Sequence, residues 1–284
     1  MDVQTIYAAR NLPRKELDGS VLDIISKLKI SFKPPFRRPP VNKRRVPEPE
    51  NWREHALADV VRKVREKDDA DYDEVNAMIN KLSKSTYAKL ITEILGKLEK
   101  REPMFRLRVT TLLFDRGIRQ NFFAGLMADA YADIRNAQPD ALTDLATQIT
   151  MFDTLYDTKN VTVIPSSSDP GFNEAVIAWT KQKEMKRGFA VYLSELYSRS
   201  LIEESVMMGI LQTVLSDLQE TVRMGKTSAN EEHVDALVRF LFAVSAKVAI
   251  KESLDAILKL PRAETPSLNM KSRFKLEDAM KKSR

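Results

Sequence analysis

Few side chains in this sequence could move protons, hold a metal or attack an electrophile. The two histidines, His55 and His233, lie far apart in the chain. Neither has a carboxylate at the HExxH spacing that lets two imidazoles and a general base meet around zinc. There is no cysteine, which removes thiolate zinc sites, disulfide frameworks and cysteine nucleophiles together. Asp68, Asp69, Asp71 and Asp73 crowd together without the glycine and closing glutamate of a calcium loop. They read instead as negative charge at the N-terminal end of a helix that begins near Asp73. No GxxxxGK[ST], GxGxxG or GxSxG string occurs, so phosphate-loop, dinucleotide and serine-hydrolase chemistry have no support. The expectation is a protein that is not an enzyme, with no catalytic residues, no metal ligands and no cofactor.

What the sequence does concentrate is positive charge. The formal net charge is +6, and residues 1–49 alone carry 11 Lys/Arg against 5 Asp/Glu. Within them, residues 33–45 (KPPFRRPPVNKRR) hold six cations and no acid, and six of the 13 prolines fall between Pro34 and Pro49. Proline at that density favours extended polyproline-type backbone, which makes this stretch a stiff basic linker. Lys33, Phe36, Arg37, Arg38, Lys43, Arg44 and Arg45 combine phosphate-neutralising charge with an aromatic face on which a base can stack, the pattern expected of single-stranded RNA binding. A second basic stretch, residues 259–284, carries eight Lys/Arg against three acids, so a mildly acidic middle is flanked by two basic ends.

The elements between those ends read as helices. Apolar residues recur at three- and four-residue steps in Tyr87, Leu90, Ile91, Ile94, Leu95 and Leu98, and again in Phe122, Phe123, Leu126, Met127, Ala130, Tyr131 and Ile134, each set marking the buried stripe of one amphipathic helix. Further stripes run through Leu142, Leu145, Ile149 and Phe152; Val191 to Tyr197; Val206 to Leu215; and Val234 to Val244. Pro103, Pro139, Pro165, Pro170, Gly188 and Gly225 are read as the breakers between them. The predicted fold is all-α, with about ten helices of 12 to 18 residues. Their pair spacing of roughly 35 to 45 residues favours stacked antiparallel pairs over a simple bundle. Residues 157–172 form the one long interruption and are expected as a surface loop.

The 284 residues, 43% hydrophobic and 30% charged, suit a soluble globular chain. No apolar run approaches the roughly 20 residues needed to cross a bilayer, and the N-terminus has no signal-peptide core. A cytoplasmic protein without membrane contact is expected.

Three stretches together resemble the middle domain of eukaryotic translation initiation factor 4G. They are Ile79-Asn80-Lys81-Leu82-Ser83 followed by Tyr87 and Leu90; Leu112 to Ile118 followed by Phe122 or Phe123 and Tyr131-Ala132-Asp133; and Lys186-Arg187-Gly188-Phe189 followed by Leu193 to Tyr197. Glu231–Val248 and Ser272 to Asp278 continue the likeness in order. One departure is Glu74-Val75-Asn76, where that family has Arg-Val-Arg. The resemblance implies a HEAT-repeat-like solenoid of about five antiparallel helix pairs, preceded by a flexible basic Pro-rich arm. It also implies a scaffold that grips a DEAD-box RNA helicase of the initiation factor 4A type and stimulates it without catalysis of its own. On this reading the helix-connecting turns touch the helicase through Asn80 and Lys81; Arg116, Arg119, Gln120 and Asn121; and Lys271, Arg273 and Lys275. The solenoid would be residues 51–284 and the basic linker residues 33–50.

Residues 1–32 form a partner-binding arm. Tyr7-Ala8-Ala9-Arg10-Asn11-Leu12 fits the YxxxxL core by which ligands of the cap-binding protein, initiation factor 4E, resemble one another, and Pro13 stands where a bulky apolar residue is usual. An apolar stripe from Val21 to Leu28 follows. Tyr7 and Leu12, with Leu22 and Ile25 behind them, are the candidate docking residues, and a segment with so little apolar surface suits folding upon its partner. The chain is then a monomer before assembly that bridges cap-binding protein, helicase and RNA. Two other readings stay open: a scaffold of the same family in nonsense-mediated decay, nuclear cap-binding or translational repression, or a generic HEAT adaptor.

Overall fold

The structure, a computed structural model, describes residues 18–20, 23, 70–166 and 171–283. The chain divides into two compact units, Met1–His55 and Ala56–Arg284. In the first, Gly19, Ser20 and Asp23 are helical and exposed. The docking candidates Tyr7, Leu12, Leu22 and Ile25 and the linker residues Lys33, Phe36, Arg37, Arg38, Lys43, Arg44 and Arg45 all lie outside the described residues.

The second unit is all-helical, with no strand among its described residues. Residues 70–80 (α1) are followed by α2 (Tyr87–Leu98), α3 (Pro103–Arg119), a 3-10 turn (Asn121–Phe123), α4 (Ala124–Ala137), α5 (Ala141–Ile149), α6 (Met151–Leu155), α7 (Phe172–Ser198), α8 (Glu204–Thr221), α9 (Ser228–Val244), α10 (Lys251–Leu258) and α11 (Met270–Lys282). Their starts follow from local chemistry. Pro103 occupies the first turn of α3, where its missing N–H costs nothing. The Thr227 and Asn269 side chains accept hydrogen bonds from the Asn230 and Ser272 amides at 3.1 and 2.9 Å, capping α9 and α11. Each cap is worth about 1 kcal/mol.

Most helix contacts skip at least one element: α2 packs on α4, α3 on α5 and α7, α7 on α9, and α9 on α11, while the consecutive pairs α3–α4, α8–α9 and α10–α11 also meet. At the centre an aromatic cluster ties α3, α6, α7 and α9 together. Phe114 meets Phe189 and Tyr192 edge-on, with ring centroids 6.3 and 5.5 Å apart. Phe152 and Tyr156 stack at 5.2 Å, and both reach Phe240. Tyr156 also donates its hydroxyl to the Lys186 carbonyl at 2.9 Å. Between α3 and α5 a largely buried polar network accompanies the apolar core. Arg106 donates to both carboxylate oxygens of Asp144 at 2.9 and 3.4 Å, and the Thr110 hydroxyl lies 3.3 Å from the same group. The bond to Asp144 holds the Arg106 guanidinium above its ordinary pKa.

Three expectations are corrected. Gly188 breaks nothing: it is buried inside α7, which runs 27 residues without interruption, longer than the helices expected. The Leu142–Phe152 stripe is divided between α5 and α6. Phe122 and Phe123, assigned to the buried stripe of α4, stand outside it in the 3-10 turn, 92% and 38% exposed. The interruption after α6 holds a 3-10 turn at Thr158–Asn160, pinned to α7 by Gln182, which accepts from the Thr162 amide at 3.0 Å and donates to the Asn160 carbonyl.

Candidate functional site

The end of α3 runs directly into a tight turn. Gln120 leaves helical backbone at φ −119° and ψ 70°, its N–H still bonded to the Arg116 carbonyl at 2.9 Å. Asn121–Phe123 then make one tight turn, closed by the Phe123 amide on the Gln120 carbonyl at 2.8 Å. Two glycines let α7 approach this end closely. A Cβ on Gly117 would sit 2.5 Å from the Tyr192 ring, and a Cβ on Gly188 would sit 2.8 Å from Asn121 Oδ1 and on top of the Ile118 carbonyl oxygen. Backbone therefore packs on backbone where Gly188 crosses the last turn of α3. The Asn121 side-chain oxygen is buried in that crossing with no hydrogen-bond partner.

The result is a rigid platform with an exposed tip. Phe122 and Phe123 pack edge-to-face at 5.3 Å, and Phe122 is almost fully in water. An exposed large aromatic on a fixed turn is a common anchor for a partner protein. Arg119 beside it is held by Asp115, one turn back, at 2.6 Å, and Gln120 is exposed. Arg116 donates to Asn76 Oδ1 of α1 at 3.3 Å. The residue that departs from the resembled family's arginines is thus the one that receives this arginine. Asn76 lies one turn before Asn80, the exposed last residue of α1. Lys81 follows in the turn, where its carbonyl accepts from the Thr86 hydroxyl at 2.7 Å. Arg116 of the second group is thus tied to α1, the helix whose end carries Asn80 and leads into Lys81.

The motif residues nearby are structural. Ile79 and Leu82 are buried. Tyr87 bonds across to Asp133 of α4 at 2.7 Å, and burial together with that carboxylate pushes its hydroxyl pKa well up. Tyr131 is fully buried, its hydroxyl 3.2 Å from the Ala141 carbonyl.

The third group lies on α11. Lys271 is exposed, 3.7 Å from Asp235, and Arg273 donates to the Leu260 carbonyl at 3.1 Å. Lys275 lies over the Phe242 ring, its Nζ 3.9 Å from the centroid, and Lys282 approaches the same ring at 3.8 Å. Burial lowers the Lys275 pKa, and Arg239, Lys282 and Arg187 add to the effect while Asp278 opposes it. Sequence reasoning named Lys271, Arg273 and Lys275 of α11 but not Lys282 of the same helix, nor Arg187, Arg239 and Phe242. A seven-residue step from Lys275 to Lys282 marks one face of a helix, but nothing local announces that α9 supplies an aromatic between them.

The described residues contain no group of three or more His, Cys, Asp or Glu that could hold a metal ion, and no described helix is long and apolar enough to cross a membrane. His233 is buried and bonded through Nε2 to Asp217 at 2.7 Å, an interhelical tie between α8 and α9. No family model and no curated protein matches the chain.

Proposed function

We propose that this chain is an interaction scaffold of translation initiation, in which the helices of the second unit stack as HEAT-type pairs and present their turns to a DEAD-box RNA helicase of the initiation factor 4A type. The carrying observation is the turn after α3. Phe122 stands 92% exposed on backbone fixed by the Gly188 crossing, among Arg119, Gln120 and Asn121, the residues to which the resemblance assigns helicase contact. A fixed aromatic anchor loses little side-chain entropy on binding. A rigid support that prefers one conformation of a two-lobed partner shifts that partner's population toward it. Asn80, Lys81 and Arg116 extend this contact, and Lys271, Arg273 and Lys275 on α11 supply a second, separate one.

In the same proposal residues 1–32 dock on a cap-binding protein of the initiation factor 4E type through Tyr7 and Leu12, and residues 33–45 bind RNA. The scaffold acts in the cytoplasm and adds no chemistry. The test is steady-state ATP hydrolysis by a factor 4A-type helicase with RNA, with and without the full chain. Stimulation that saturates with chain concentration is expected, and the chain alone should hydrolyse nothing. No stimulation at saturating chain would overturn the helicase assignment and favour a HEAT adaptor of another pathway.

A further inference from the structure

A groove that shares no lining residue with the Phe122 turn runs beside α8. Val206, Gly209, Ile210, Thr213, Asp217 and Glu220 recur along one side of that helix, at the three- and four-residue steps that make a continuous stripe. The opposite wall comes from α5 and α6. At the N-terminal end of α8 the groove is mainly apolar, about 470 Å³ in volume and lined by Leu142, Leu145, Ile149, Leu201, Val206 and Ile210, with Glu203 at its edge. Leu142 and Val206 are 40% and 43% exposed there. Past Phe152 and Asp153, which border both parts, it widens to about 700 Å³ between Asp153 and Asp157 on one side and Asp217 and Glu220 on the other.

The charge on this face is of one sign. No Lys or Arg lines either part of the groove. Asp217 is the one acid of the four in an ion-pair contact, and its partner is His233 at 2.7 Å, which fixes the carboxylate. The C-terminal end of α8, where Asp217 and Glu220 sit, adds the negative pole of the helix. Val206 and Glu220 are 14 residues apart, roughly 21 Å along a helix at 1.5 Å per residue.

We infer that this groove is a docking site for a basic peptide segment of a partner protein, one with apolar anchors at one end and a Lys/Arg cluster at the other. The apolar end buries Leu142, Val206 and Ile210, and the cations face Asp153, Asp157, Asp217 and Glu220. A membrane surface or a nucleic acid is disfavoured by the same four carboxylates, and the inference stands apart from the role of the Phe122 turn.

The experiment titrates the full chain with a 16-residue synthetic peptide carrying leucines in one half and lysines in the other. A second peptide has every lysine replaced by glutamate, and a third is residues 33–45 of this chain. The first peptide should bind, more weakly as salt rises, and the glutamate peptide should not. Two variants locate the site. Gly209→Trp places a large side chain in the groove from a position where an added Cβ meets nothing within 4 Å, and Asp153→Lys with Glu220→Lys sets two lysines against the two remaining aspartates, cancelling the charge at exposed positions. Each should weaken binding by about tenfold or more with helicity and thermal midpoint near wild type. Equal affinity of both variants and wild type, or no binding of the first peptide, would overturn the inference. Binding of the 33–45 peptide in preference to the first would overturn the assignment to a partner.

Discussion

Replacing Gly188 with alanine adds one methyl group where α7 crosses the end of α3. In an open helix the change is favourable by about 1 kcal/mol, because glycine is the costlier helix residue. Here the new Cβ would lie 2.8 Å from Asn121 Oδ1 and on the carbonyl oxygen of Ile118. The second of these is backbone and cannot rotate away. Relief requires α7 and α3 to separate, and overpacking of this kind costs about 1–3 kcal/mol or more. Because the clash is with backbone, the cost falls in the upper part of that range, about 2–3 kcal/mol, and outweighs the propensity gain for a net loss of about 1–2 kcal/mol. At about 2–4 °C per kcal/mol for a domain of this size, the thermal midpoint followed by circular dichroism should fall by about 2–8 °C. Gly209→Ala is the matched control, a helix-interior glycine with open space around its missing Cβ, and should raise the midpoint by about 2–4 °C. A Gly188→Ala protein as stable as Gly209→Ala would show that α3 and α7 do not meet backbone to backbone, and the rigid support claimed for the Phe122 turn would fall with it.

Arg106→Ala leaves the Asp144 carboxylate buried without its cation, the two side chains being 12% and 9% exposed. It should cost about 3 kcal/mol in urea unfolding, and Arg106→Met with Asp144→Leu should recover most of the loss. RNA affinity of the full chain should fall with salt at a log–log slope of roughly −0.7 per phosphate contact. Deleting residues 33–45 should flatten that slope; an unchanged slope would place the RNA contacts elsewhere. Tyr7→Ala with Leu12→Ala should weaken binding to a factor 4E-type protein by roughly two to four decades in a titration, at about 1.5–3 kcal/mol per buried side chain. Equal affinity of wild type and double variant would refute the docking motif.

Periodicity carried much of the fold. The stripe from Tyr87 to Leu98 faces inward as spacing requires, with Ile91, Ile94 and Leu98 buried, and Val234 to Val244 on α9 does the same. It failed where tertiary contact overrides local preference. Gly188 looked like a breaker because glycine is a poor helix former, yet it is glycine because α3 lies against it, and nothing within α7 reveals α3. Phe122 looked buried because it is apolar and correctly spaced, but the backbone turns at Gln120 before the stripe begins. The α1 and α3 candidates were legible as motif residues. The tie between α1 and α3 through Asn76 and Arg116 depends on helix packing that residue spacing does not encode. The groove beside α8 was invisible for the same reason, since its two walls come from stretches more than forty residues apart.

The central claim is that the turn at Phe122 anchors a helicase. Its most direct test is calorimetric titration of a factor 4A-type helicase with the full chain and with Phe122→Ala. The ring is exposed, so the substitution leaves the fold and its thermal midpoint unchanged. If Phe122 is an anchor, binding should weaken by about 2 kcal/mol, or roughly thirtyfold. Equal affinity of the two proteins would contradict the account.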